Sequence, residues 1–229
     1  PAFLNIDMKL KRITVAPKNR FYKSIYDDQI ILSKTDDTYD TIYYVYANIK
    51  DIKIPSFIKY ISPKCFINNY NLKKIEFAEN SNLQTIGKYA FENTNLEKII
   101  IPANVRYIKD IFFECKNLKV IGFEANSKIN TIGKNAFFDS SIEEFSIPTS
   151  LKELKNGWCE RTSKLNRISI SPENKYFKII DQKMIVGKSS SSKDIFDVLV
   201  FACRDIEKVT IPSYIKYISP YCFENCKKL

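Results

Sequence analysis

The chain contains no histidine. That excludes Ser-His and Cys-His nucleophile pairs and most mixed zinc sites, because imidazole is the base or ligand those sites need. No apolar run reaches the roughly 18 to 20 residues that span a bilayer, so no transmembrane segment is expected. The opening Pro1-Ala2-Phe3 does not resemble a signal peptide. No Asn-x-Ser/Thr sequon occurs, which disfavours a glycosylating secretory route without counting against a bacterial surface. Carboxylates are not paired at any recurring place, so a glycosidase reading has no footing. Gly187-Lys188-Ser189 imitates the end of a phosphate loop, but Gln182 stands where its first glycine must be. A non-enzymatic chain without metal or cofactor is the expectation.

The six cysteines show no disulfide framework. Cys65 and Cys222 fall where Ala90 and Ala136 stand in other copies of a repeat, as small buried fillers would. Cys222-x-x-x-Cys226 has metal-like proximity but no second pair beside it. Lys and Arg number 36 against 26 Asp and Glu, a net charge of +10. The basic residues run evenly along the chain and form no patch, so no nucleic-acid partner is expected. With 45% hydrophobic residues in 229, the chain can build a sizeable core.

The dominant feature is repetition. Ile54 to Phe66, IPSFIKYISPKCF, returns at Ile211 to Phe223 as IPSYIKYISPYCF, with diluted copies from Ile101 and Ile147. Apolar pairs of the form Ile-x-Ile recur at Ile13/Val15, Ile52/Ile54, Ile75/Phe77, Ile99/Ile101, Ile121/Phe123, Phe145/Ile147, Ile168/Ile170 and Val209/Ile211. Each predicts a short strand with one buried face. From Ile54 the second members step by 23, 24, 22, 24 and 23, a leucine-rich-repeat period.

Two kinds of repeat alternate. One carries Ile-Pro after its strand, at Pro55, Pro102, Pro148 and Pro212, where a residue without an N–H ends ladder pairing. The other carries a polar turn at Asn80-Ser81 or Asn126-Ser127 and then Thr-Ile-Gly-Lys, in which Gly87 and Gly133 are expected to relieve a tight bend. An aromatic then follows in each copy, at Phe66, Phe91, Phe112 or Phe113, Phe137 and Phe223, on a short helical or 3₁₀ turn that plugs the core. Trp158-Cys159 departs from this placing. Two longer segments, at about 18–50 and 173–208, read as hairpin inserts with tips at Lys34 to Asp40 and Lys188 to Asp194, the serine run Ser189 to Ser192 lying in the second tip.

These residues resemble the BspA-like leucine-rich-repeat family. In the middle of the chain the resemblance rests on Ile101, Pro102, Val105, Ile108, Phe112 or Phe113, Cys115, Leu118 and Ile121, and at its end on Ile211, Pro212, Ile215, Ile218, Phe223, Cys226 and Leu229. The inserts are similar to that family's Asn-x-x-Phe/Tyr hairpin through Asn19, Phe21 and Asp27 and through Asn174, Tyr176 and Asp181. The family's hairpin usually turns on Asp-Gly; here Asp27-Asp28 and Asp181-Gln182 stand instead, which puts a type I′ turn in question. The resemblance implies one leucine-rich-repeat solenoid over 1–229 with a parallel sheet on its concave face; the opening without Met and the close on CFENCKKL are expected of a fragment of a longer protein or a mature piece. It also implies a cell-surface or secreted adhesin that binds extracellular-matrix proteins, host proteins or other cells. An intracellular, cytoplasmic scaffold is the alternative.

On such a coil the residues flanking each buried strand position point outward. In order they are Arg12/Thr14, Asp51/Lys53, Lys74/Glu76, Lys98/Ile100, Val120/Gly122, Glu144/Ser146, Arg167/Ser169 and Lys208/Thr210. Charge dominates the flanks of this series and is absent from its middle. Ile100, Val120 and Gly122 make an apolar island edged by Lys98, Glu144 and Ser146, the arrangement of an interface core with a polar rim. These six residues are the candidate partner-binding site.

Overall fold

A computed structural model describes residues 13–190 and 194–229. The chain opens with a three-stranded insert, β1 (Tyr22–Ile25), β2 (Ile30–Thr35) and β3 (Thr38–Val45). Four-residue and two-residue strands then alternate: β4 (Asp51–Ile54), β5 (Tyr60–Ile61), β6 (Lys74–Phe77), β7 (Thr85–Ile86), β8 (Lys98–Ile101), β9 (Tyr107–Ile108), β10 (Val120–Phe123), β11 (Thr131–Ile132), β12 (Glu144–Ile147), β13 (Glu153–Leu154) and β14 (Arg167–Ile170). A second insert, β15 (Phe177–Ile180), β16 (Met184–Gly187) and β17 (Val198–Ala202), precedes β18 (Tyr217–Ile218). The molecule is a leucine-rich-repeat solenoid.

The four-residue strands form one parallel sheet in the order β14-β12-β10-β8-β6-β4. Six of the eight Ile-x-Ile pairs are its strands. Ile13/Val15 and Val209/Ile211 are not strands. The buried member of each pair faces a continuous core: Ile54, Ile101 and Ile147 are all but solvent-free, as are Ile61, Ile108 and Ile132 on the short strands.

Pairing along the six-stranded sheet alternates with the repeat type. Each Ile-Pro strand and the strand after it pair over four residues, as in β4 with β6, β8 with β10 and β12 with β14. The converse junctions are short, at two residues for β10 with β12 and one for β6 with β8. Backbone N–H groups donate from each coil to the carbonyls of the coil before it, as Ala78 does to Ile54, Glu124 to Ile101 and Ser171 to Ile147. Pro102 and Pro148 stand at the corresponding place in the other coils and have no proton to donate. The proline carbonyl instead closes a tight turn, accepting from Ile58, Val105, Leu151 and Ile215 in turn. The building unit is therefore a pair of coils.

Opposite this sheet the expected short helix is absent: no residue of the described chain is helical. The segment is a run of turns in which positive-φ residues recur four apart, at Lys64/Asn68, Tyr89/Asn93, Asp110/Glu114, Asn135/Asp139, Gly157/Arg161 and Tyr221/Asn225. Left-handed residues interrupt any right-handed helix. They turn alternate N–H groups toward the neighbouring coil, so Lys64, Phe66 and Asn68 donate to the carbonyls of Lys88, Ala90 and Glu92, while Cys65, Ile67 and Asn69 bond back to the third residue before them. Inter-coil ladders thus replace helical bonds. Inside, the aromatics form one stack, Phe66, Phe91, Phe112, Phe137, Trp158 and Phe201, with successive centroids 5.0 to 6.0 Å apart. Phe112 is the core member of its pair, and Phe113 stacks outside on Phe138 at 4.3 Å.

The inserts obey one plan. Asn19 Oδ1 accepts from the N–H groups of Phe21 and Tyr22, and Asn174 Oδ1 from those of Tyr176 and Phe177, so an Asx turn starts each hairpin. The first turns follow at Asp27-Asp28 and Asp181-Gln182. All four have positive φ, and Gln29 and Lys183 close the turns onto Tyr26 and Ile180, which is the φ signature of type I′ without glycine. The last hairpin strand then serves as a short strand of the solenoid, β3 pairing in parallel with β5 and β17 with β18. Of the serine run, Ser191 and Ser192 lie outside the described residues.

The two recurring glycines, Gly87 and Gly133, do not relieve bends, since neither has positive φ. Each makes room for the neighbouring coil: a Cβ on Gly87 would strike the backbone of Pro63, and one on Gly133 would lie 2.6 Å from Tyr107 Oη.

Candidate partner-binding face

Register brings five of the six candidate residues together. Lys98 pairs with Val120 and Ile100 with Gly122 across β8 and β10, and Val120 pairs with Glu144 on β12. Because Gly122 has no side chain, Ile100 lies down across it, its Cδ1 only 2.6 Å from where a Cβ would be. Ile100 remains 39% exposed, and Val120 and Gly122 are half-buried. The apolar island is flat and spans two strands.

The rim is less directed at the island than the sequence suggests. Glu144 turns away to Arg167, at 2.5 Å, which also reaches Glu143 at 3.5 Å. Ser146 shares a hydrogen bond of 2.7 Å with Ser169 on β14. On the other side Lys74 and Glu76 pair at 2.6 Å along their own strand, which holds the Glu76 carboxyl below its ordinary range. Such exposed pairs are worth about 0 to 1 kcal/mol; they order the rim and leave the island as the uncharged part. Arg12, at the start of the same series, lies outside the described residues.

All six cysteine sulfurs are free, and five are buried. Burial pushes the Cys115 thiol up to about 12 and the Cys159 thiol to about 11, away from the thiolate that nucleophiles and metal ligands need. Among the described residues no group of three or more Cys, Asp or Glu side chains converges on one point, and no helix is long and apolar enough to cross a membrane.

Two features escape sequence reasoning. Arg204 is 3% exposed and has no carboxylate beside it among the described residues. Its guanidinium donates to the Cys222 carbonyl at 3.0 Å and to Cys159 Sγ at 3.5 Å and lies 4.6 Å from the centre of the Phe201 ring, locking the second insert to the coils around it. The other is a cleft of mixed polar and apolar lining between coils on the side of the short strands, where Gln84, Ile86, Asn104, Arg106, Tyr107 and Lys128 meet.

The profile of the BspA type leucine rich repeat region matches residues 4–119, 37–166, 84–194 and 182–229. The chain belongs to the BspA-type leucine-rich-repeat family. Comparison with curated proteins returns no match. Among solved structures, the pneumococcal vaccine antigen PcpA is similar over 88% of this chain and 50% of its own, at 26% identity and a TM-score of 0.71. A leucine rich cell surface protein from Faecalibacterium prausnitzii matches over 92% of this chain and 69% of its own, at 17% identity and a TM-score of 0.61. A leucine-rich-repeat protein from Eubacterium ventriosum matches over 86% and 55%, at 20% identity and 0.58. The last two show the BspA-type chain's fold alone. The chain spans about half the length of PcpA.

Proposed function

We propose that this BspA-type module is a non-enzymatic protein-binding surface of a cell-surface protein that mediates adhesion to host or matrix proteins or to other cells. The observation that carries the reading is the flat apolar island, in which Ile100 covers Gly122 in register, within a sheet whose other outward positions are charged or hydroxylated. A partner side chain laid there desolvates without leaving a charge unpaired. Likeness to a vaccine antigen supports exposure on a surface. Lys98, Ile100, Val120, Gly122, Glu144 and Ser146 are the contact residues of the proposal.

The test has two parts. Antibody raised to the chain should label intact source cells; labelling only after permeabilisation refutes the surface reading. It would favour an intracellular scaffold, the reading supported by six unpaired thiols, which suit a reducing compartment. Against a panel of immobilised matrix proteins, Ile100→Glu and Val120→Glu should each weaken binding about tenfold or more, the cost of a central interface residue. Binding that survives both substitutions removes the island from the interface.

A further inference from the structure

The solenoid has one seam where both of its sheets loosen together. Between the coils of β6-β7 and β8-β9, the six-stranded sheet keeps a single pair, Lys74 with Lys98, and no pairing joins β7 to β9. At the neighbouring junctions Gln84 N–H donates to Lys59 and Gly87 to Ile61, Asn130 to Arg106 and Gly133 to Ile108. The equivalent bonds from Arg106 and Lys109 to Gln84 and Ile86 are missing among the described residues. The backbone groups of this junction thereby lack the inter-coil partners that their counterparts have.

The cleft at this seam is about 660 Å³, within the range of small-ligand sites. Its lining combines polar groups with the apolar surface of Thr85, Ile86 and Tyr107. Asn82, Gln84 and Asn104 contribute amides that donate and accept at once. Arg106 and Lys128 contribute two positive charges, and no carboxylate lines the cleft. Lys128 Nζ donates to Asn104 Oδ1 at 2.7 Å, and Asn104 Nδ2 to the Ser81 carbonyl at 3.2 Å, so this wall is fixed in place. Tyr107 lies over Gly133 of the next coil and is 45% exposed, which makes its ring a rigid platform at one edge.

We infer that this cleft binds an acidic sugar unit of an oligosaccharide. A pyranose has an apolar C–H face that packs on an aromatic ring and hydroxyls that use amides and backbone groups as paired donors and acceptors. Its carboxylate or sulfate meets the Arg106 fork and the Lys128 ammonium. The site lies on the short-strand side and does not use the β8-β10 island, so it stands or falls apart from the proposed protein-binding face.

The test is isothermal titration of the chain with trigalacturonate, a heparin-derived tetrasaccharide, maltotriose and hexaglutamate. Trigalacturonate or the sulfated tetrasaccharide is expected to bind, the stronger of the two identifying the acidic group. Arg106→Gln and Tyr107→Ala should each weaken it by about tenfold or more, Tyr107→Phe should retain it, and Lys53→Gln, on the other sheet, should change nothing. Far-UV circular dichroism checks that each variant keeps its fold. The inference is overturned if neither acidic sugar binds, if maltotriose binds equally, if hexaglutamate binds as tightly as the sugars, or if Lys53→Gln weakens binding as much as Arg106→Gln.

Discussion

Replacing Asn174 by alanine removes a side chain that starts the second hairpin with two hydrogen bonds and ties it to the solenoid with two more. Its Oδ1 accepts from Tyr176 and Phe177 at 2.8 and 3.0 Å, and its Nδ2 donates to Pro148 and Leu151 at 2.7 and 2.9 Å. At 8% exposed, the site gives water little access to the groups left behind. Each neutral hydrogen bond is worth about 1 kcal/mol net, and a buried group left unpaired costs about 1 to 3 kcal/mol, which puts Asn174→Ala at about 3 to 4 kcal/mol. Asn19 makes the same two accepted bonds at the start of the first hairpin but in the open, so Asn19→Ala should cost only about 1 kcal/mol, as an exposed cap does. Urea unfolding separates them: with a slope near 3 kcal/mol/M, the midpoint should fall by about 1 M for Asn174→Ala and by a few tenths for Asn19→Ala. Fluorescence of Trp158, which packs 5.6 Å from Phe201 in the second insert, reports the affected region directly. Equal shifts for the two variants would refute the argument that the buried donors to Pro148 and Leu151 make the difference.

The turn of the same hairpin gives a stabilising change. Gln182 sits at a φ of 56°, so Gln182→Gly should raise stability by up to about 1 kcal/mol by relieving left-handed strain; a lowered melting temperature would contradict the turn geometry. Each insert also buries a carboxylate. Burial raises the pKa of Asp40, but the hydrogen bonds from Lys59, at 3.0 Å, Thr38 and Thr35 outweigh it and leave the group below its ordinary value. Asp197 is held low chiefly by the Ser189 N–H at 2.9 Å. Folded values below the unfolded ones mean that their contribution is complete above about pH 4 and is lost as pH falls through the depressed folded values. Asp40→Asn should therefore destabilise at pH 7 and flatten the acid limb of a stability-against-pH curve; an unchanged limb would show that Asp40 contributes nothing.

The period, the buried strand positions and the aromatic plugs are legible in the sequence because they depend on local alternation and on which side chains must leave water. Ile54, Ile101 and Ile147 announce the core whatever lies beside them. Even the pairing of coils is implicit in Pro102 and Pro148, since a missing N–H is a property of one residue. The turns that replace the helix are not legible in this way. Asn68, Asn93 and Asn135 suit left-handed backbone, but Lys64, Tyr89 and Glu114 adopt it only because the neighbouring coil offers carbonyls at the right height.

What the tertiary structure alone decides is how coils far apart in sequence meet. Ile100 becomes an interface candidate through its place among outward flanks, yet its flat lie across Gly122 depends on the register of two strands 22 residues apart. Arg204 reads as an ordinary surface cation until Cys159 and Cys222 close around it. Arg106 and Tyr107 join Gln84 in a cleft only because the short-strand ladder breaks at that junction. Burial of one face is a property each repeat carries within itself; the fit between faces is a sum over neighbours, and that sum exists only once the coils are stacked.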